Sequence, residues 1–202
     1  MKWLSRILIV VGIGFLVAFG YTVYDHMTSS SVTLEEAQVA LEQQRDELGS
    51  SGTVHAAEDE DEEFDVSNYS AEQGEAFGVL EIPKLERSIG IVEGTDADSL
   101  KRGVGHVSST VFPGQGEQIV LSGHRDTVFR DFGELEYGDT FVVQMPYGDF
   151  EYEIRDHTIV DKYDTSVIGE MGEEVLVLST CYPFEFYGFA PDRFVFYSYP
   201  VS

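Results

Sequence analysis

At 202 residues the chain has room for one ordinary domain and an extension, and its 43% hydrophobic content suffices for a packed core. A formal net charge of -25, from 37 acidic and 12 basic residues, excludes nucleic acid as a partner, because phosphates need a basic footprint. The single cysteine excludes an intramolecular disulfide and leaves either a buried bystander or a reactive thiol.

The first predicted element is a membrane anchor over residues 1–25. An apolar run from Ile7 to about Tyr24 gives roughly 18 residues, or ~27 Å of helix, close to the hydrocarbon thickness of a bilayer. Trp3 before the run, and Tyr21 and Tyr24 at its end, stand where interfacial aromatics belong. Lys2 and Arg6 precede the run and Asp25 follows it, so the positive-inside rule predicts a cytoplasmic amino terminus and an extracytoplasmic remainder. The run is long for a signal-peptide core and no small-x-small cleavage site follows it cleanly, which favours an uncleaved anchor.

Residues 26–76 are predicted to form an acidic extracytoplasmic linker with one short helix. Residues 25–74 hold 14 acidic side chains against Arg45 alone, a surface that suits solubility in salt or at high pH, or avoidance of an anionic envelope. Thr33-Leu34-Glu35-Glu36 has capping-box spacing, with Thr33 as N-cap, and Leu34, Ala37, Ala40 and Leu41 recur at helical spacing toward Leu48. Gly49-Ser50-Ser51-Gly52 ends that helix. The run from Glu58 to Glu63 reads as a solvated spacer, since a calcium cage needs a rigid loop.

From about Phe77 to the end the texture changes to short β-rich runs punctuated by Gly, Pro and Asp. Strands are predicted at Gly78–Pro83, Ser88–Val92, Gln118–Leu121, Thr140–Val143, Phe150–Val160, Glu174–Leu178 and Phe194–Tyr199. Asp96 to Arg102 is predicted as a short helix, with Thr95 as its cap. So many strands at short spacing describe a mostly β domain, a sandwich or a barrel.

Three residues at strand ends carry the chemistry. Cys181 closes the apolar run Leu178-Ser179-Thr180-Cys181, before Tyr182-Pro183 breaks it. A thiol needs a nearby base or cation to act as a nucleophile, and a lone cysteine is more often a buried structural residue. His124 follows the Ile119–Leu121 strand within Ser122-Gly123-His124-Arg125-Asp126. Arg193 opens the last strand among aromatic residues and needs an anionic partner, which Asp192 or Glu185 would satisfy structurally. Each residue alone is ambiguous.

Leu178-Ser179-Thr180-Cys181 followed by Arg193 resembles the Thr-Leu-x-Thr-Cys…Arg signature of sortases, with Val177 standing where the family usually has Thr. Leu121-Ser122-Gly123-His124-Arg125, Gly103-Val104-Gly105-His106 and Val79-Leu80-Glu81-Ile82-Pro83-Lys84 resemble further stretches of that family, in the same order. His124-Arg125-Asp126-Thr127 and Cys181-Tyr182-Pro183-Phe184 are most similar to class D sortases. The resemblance covers roughly residues 77–202 and implies a closed eight-stranded β-barrel.

It also implies a mechanism. Cys181 would attack the carbonyl after Thr in a Leu-Pro-x-Thr-Gly-like sorting signal. His124 would serve as general acid and then base, and Arg193 would bind the substrate backbone or the developing oxyanion. Thr180 is expected to line the oxyanion site. The aromatic residues Tyr182 and Phe184, with Phe186, Tyr187 and Phe189, either line an apolar groove for the signal's Leu and Pro, the favoured reading, or cap the barrel. The partners implied are secreted proteins with a C-terminal sorting signal and a cell-wall precursor amine. No cofactor is expected; a calcium requirement stays open, because no spacing singles out a site among Glu134, Glu136, Asp139, Glu173 and Glu174. His106 and His157 are read as structural, and His26 and His55 as part of the tether. The rival readings are a cell-wall L,D-transpeptidase, which would place Gly and not Thr180 before the cysteine, and a non-enzymatic tethered β domain.

Overall fold

The computed structural model describes residues 2–50, 64–184 and 188–201. The side chains at 2, 4, 5, 8, 22–30, 49 and 50 lie outside the described set, as do the charged run 58–63, His55, Glu185, Phe186 and Tyr187. His26 is among those side chains.

Among the described residues, eight strands close into one barrel: β1 (Ala76–Ile82), β2 (Arg87–Glu93), β3 (Val104–His106), β4 (Gln118–Gly123), β5 (Thr140–Met145), β6 (Gly148–Asp161), β7 (Val175–Tyr182) and β8 (Asp192–Pro200). Their order around the barrel is β1-β2-β3-β4-β7-β8-β6-β5. The pairs β2–β3 and β4–β7 are parallel and the others antiparallel. A parallel pair needs a crossover. Between β2 and β3 that crossover carries α2 (Ala97–Arg102). Its N-cap is Asp96, whose carboxylate accepts from the backbone N–H groups of Asp98 and Ser99, and not the expected Thr95.

Alternation fills the interior. Leu176 and Leu178 of β7, Phe141, Val143 and Met145 of β5, and Phe196 of β8 share one core with Ile119 and Leu121 of β4. The intervening residues Val120, Val175, Val177 and Val195 form a second buried cluster on the outer face of the β4–β7–β8 region. Strand β7 is therefore covered on both faces, which explains its unbroken apolar run from Val175 to Leu178.

The amino-terminal part departs from expectation. One helix, α1, runs from Lys2 to Ser50 without a break at Thr33. No proline occurs before Pro83 to interrupt it. Thr33 is not a cap; Thr33, Ala37 and Leu41 form a buried stripe at i, i+4, i+8 that lies on β1 and β2. A Cβ on Gly90 would stand 2.9 Å from the Thr33 carbonyl oxygen, so glycine permits this approach. Arg45 extends the stripe, donating from Nε and Nη2 to the Met145 carbonyl at 3.2 and 2.8 Å. Arg102 pairs with Glu36 at 2.7 Å. Residues 33–45 are thus a seat for the barrel, where the sequence suggested a spacer.

Residues 64–74 are fixed as well. Tyr69 packs on the core in edge contact with Phe112 and Tyr147, and Gln115 donates to the carbonyls of Val66 and Tyr69. In the first half of α1, every described side chain from Arg6 to Tyr21 is exposed, Val10 at 69% and Phe15 at 75% among them. Among the described residues no helix is long and apolar enough to cross a membrane.

Candidate active site

The strand registers set the site. Strands β4 and β7 run parallel with Gly123 beside Thr180, so His124 and Cys181 each come directly after the last pair of the ladder. Strands β7 and β8 run antiparallel with Cys181 directly opposite Arg193. Side chains of paired residues share a face. That face is the outer one: Cys181 has the parity of Val175 and Val177, and Arg193 that of Val195. Cys181 and Arg193 therefore sit side by side on adjacent strands, at the ~4.8 Å spacing of neighbouring strands, and His124 opens the turn that follows β4. All three are half-buried and line one cleft of about 500 Å³.

Local chemistry holds these residues in place. The Thr180 hydroxyl, 3% exposed, donates to the Gly123 carbonyl at 2.8 Å and ties the ends of β4 and β7 together. Gly123 has no room for a side chain: a Cβ there would lie 2.7 Å from both Phe129 and Val128. The chain turns back under it, and the His124 carbonyl accepts from the Phe129 N–H at 3.0 Å. Arg193 donates from Nη1 to the Asp192 backbone carbonyl at 3.1 Å. Of the two carboxylates considered from the sequence, Asp192 meets it through the backbone, and Glu185 lies outside the described residues.

A cysteine, a histidine and an arginine thus line one cleft at the barrel rim. The sortase domain model matches residues 80–201. Over 196 residues the chain is 43% identical to Sortase D of Bacillus subtilis (strain 168), covering 96% of this chain and 93% of the relative. The chain belongs to the sortase family.

Solved sortases share the fold. The catalytic domain of B. anthracis SrtD is 37% identical, with a TM-score of 0.57 over 75% of this chain and 97% of that one. A Clostridium perfringens Sortase D5 transpeptidase superposes with a TM-score of 0.67 at 21% identity, over 87% of this chain and 99% of that one. The resemblance to class D sortases and the eight-stranded barrel both stand, and the enzyme is a sortase-family transpeptidase. The L,D-transpeptidase and non-enzymatic readings fall away.

The remaining residues singled out from the sequence lie around this cleft and the one beside it. Thr180 shares the inward parity of Leu176 and Leu178, so its hydroxyl cannot face the cleft; it supports the site from beneath. Tyr182 and Phe184 line a neighbouring cleft of about 1150 Å³ and pack against Phe194. The aromatic rings in the Cys181 cleft are Tyr163 and Phe189, 79% and 72% exposed, with the Lys162 ammonium 3.5 Å from the Phe189 ring centre. Of these only Phe189 was anticipated. Phe186 and Tyr187 lie outside the described residues.

His106 is buried away from the cleft, with Nδ1 2.6 Å from the Glu93 carboxylate and its ring stacked on Phe112. His157 lies exposed on β6, bonded to the Tyr137 hydroxyl and stacked on Phe194. Among the described residues no group of three or more His, Cys, Asp or Glu is placed to hold a metal ion. Glu136 and Asp139 both take the Lys84 ammonium, and Glu174 accepts from the Tyr152 hydroxyl and from the backbone of Gly114 and Gly116.

Proposed function

We propose that this sortase is a membrane-anchored cysteine transpeptidase, with Cys181 as nucleophile, His124 as acid and base, and Arg193 as the oxyanion and backbone binder. The observation that carries the reading is that these three side chains line one cleft, Cys181 opposite Arg193 across β7 and β8 and His124 directly after β4. Lys162 and Arg193 also bring positive charge to the cleft, against Asp126, in a chain of charge -25. A partly exposed, electropositive surrounding suits a nucleophilic thiol.

The thiolate attacks the carbonyl carbon after Thr in a Leu-Pro-x-Thr-Gly-like signal. The C–N bond breaks as the proton held by His124 passes to the departing amine, and an acyl thioester remains on Cys181. A cell-wall amine then attacks that carbonyl. His124 removes its proton, the C–S bond breaks, and the thiolate is restored. Arg193, with its planar set of donors, is suited to the oxygen that becomes negative in both halves. No cofactor enters this chemistry.

The test pairs full-length protein in detergent with a sorting-signal peptide and a small primary amine. The reading predicts cleavage after Thr and an amine-capped product. An uncleaved peptide, or hydrolysis that added amine never diverts, contradicts it. The anchor over residues 1–25 is supported by the exposed apolar side chains of α1 and by the Lys2/Arg6 bias. Protease added to intact protoplasts should remove the barrel; protection until lysis would reverse the orientation.

A further inference from the structure

Arg125 follows His124 in the turn after β4, and its guanidinium reaches the segment that follows Cys181. Nη1 donates to the Pro183 carbonyl at 2.7 Å and Nη2 to the Gly188 carbonyl at 2.8 Å. Both acceptors belong to the segment that joins Cys181 to Arg193. Arg125 and Gly188 line both the Cys181 cleft and the larger cleft beside it, so this two-pronged contact forms part of the wall between them. Opposite, the Lys162 N–H donates to the Pro191 carbonyl at 3.0 Å and fixes the far end of the same segment. The guanidinium fork presents parallel donors in a rigid plane, whereas a lysine ammonium offers one point of attachment.

We propose that Arg125 is a positioning residue: its bridge to the carbonyls of Pro183 and Gly188 holds Gly188, Phe189 and Ala190 as one wall of the Cys181 cleft, against which the peptide substrate is bound. The inference rests on the proposed peptide-transfer reading. Arg125 is not assigned contact with the reacting atoms. Its loss displaces the wall and leaves the thiol in place.

Full-length R125Q and R125K, in detergent beside the unaltered protein, test this with three readouts: alkylation of Cys181 by iodoacetamide, steady-state turnover of a sorting-signal peptide, and limited proteolysis. The alkylation rate is expected to stay within about twofold of wild type, since a small reagent needs no wall. Peptide kcat/KM is expected to fall on the order of 10–10²-fold, the usual penalty of a misplaced substrate. KM should carry most of that loss, and cleavage within residues 183–191 should become faster. R125K should not rescue, because one ammonium cannot replace the fork.

Peptide kcat/KM within twofold of wild type in both variants would overturn the inference. So would a parallel fall in alkylation, a loss carried by kcat alone, or unfolding of both variants, which would assign Arg125 to the fold instead. If wild type itself turned over no peptide, the proposed function would fail. Alkylation and proteolysis would still decide whether Arg125 holds the segment.

Discussion

Replacing Thr180 with Val tests whether this residue supports the site or faces the substrate. Valine keeps the shape of the side chain and removes one buried hydrogen bond, the 2.8 Å contact to the Gly123 carbonyl. A typical bond of this kind is worth about 1 kcal/mol net, and an acceptor left unpaired in the interior raises the cost toward about 2–3 kcal/mol. At 3% exposure water has no route to replace the hydroxyl. T180V should therefore unfold with a lower urea midpoint at an unchanged m value, while T180S, which keeps the hydroxyl, should lose less. Activity should follow stability in this series, because the bond ties the end of β4, just before His124, to β7 just before Cys181. A peptide assay at a temperature well below either midpoint separates the two effects. If T180V matched wild type in both stability and turnover, the bond would do nothing. If T180V were fully stable but lost most of its activity while T180S kept it, the hydroxyl would face the substrate after all.

Two further predictions concern the chain before the barrel and the loop beside the site. Fragments beginning at Ser31, Phe64 and Glu75 should fall in Tm in that order, because the first cut removes the Thr33–Ala37–Leu41 seat and the second removes Tyr69 from the core; equal midpoints by calorimetry would show that both segments are mere tether. Glu117 is held below the usual carboxylate range, chiefly by the Met171 N–H, then by those of Gly172 and Gln118. A depressed carboxylate contributes stability above its unfolded pKa and loses it as pH falls through the folded value. Amide hydrogen exchange in residues 162–174, corrected for the intrinsic rate at each pH, should therefore accelerate below about pH 4 in wild type, whereas E117Q should exchange faster at neutral pH and respond less to acid. Identical pH profiles for the two proteins would refute the assignment.

The strands and the three site residues were legible because each is a local signal: an apolar run, a punctuating Gly or Pro, a polar residue at the end. Their convergence on one cleft was not legible. It depends on a parallel register between β4 and β7 and an antiparallel one between β7 and β8, set by residues far apart in sequence. Strand β3 escaped because three residues flanked and interrupted by glycine carry no periodicity. Thr33 misled for the opposite reason: the capping-box spacing is a local pattern, and only the barrel surface at Gly90 makes that threonine part of a helix interior. Thr180 and Cys181, adjacent in sequence, face opposite sides of β7, so the signature alone could not divide support from chemistry. Arg125 left no trace, since its acceptors are backbone carbonyls about 60 residues away.

The central claim is that Cys181, His124 and Arg193 act as one unit, and intact-protein mass spectrometry after mixing with a sorting-signal peptide tests it most directly. Wild type should gain the mass of the acyl fragment ending in Thr, mapped to Cys181, and C181A should gain none. H124A should form the adduct on the order of 10²–10⁴-fold more slowly. R193K, which keeps the charge but loses the planar fork, should also be slow. An adduct on another residue, or wild-type acylation rates in H124A, would contradict the account.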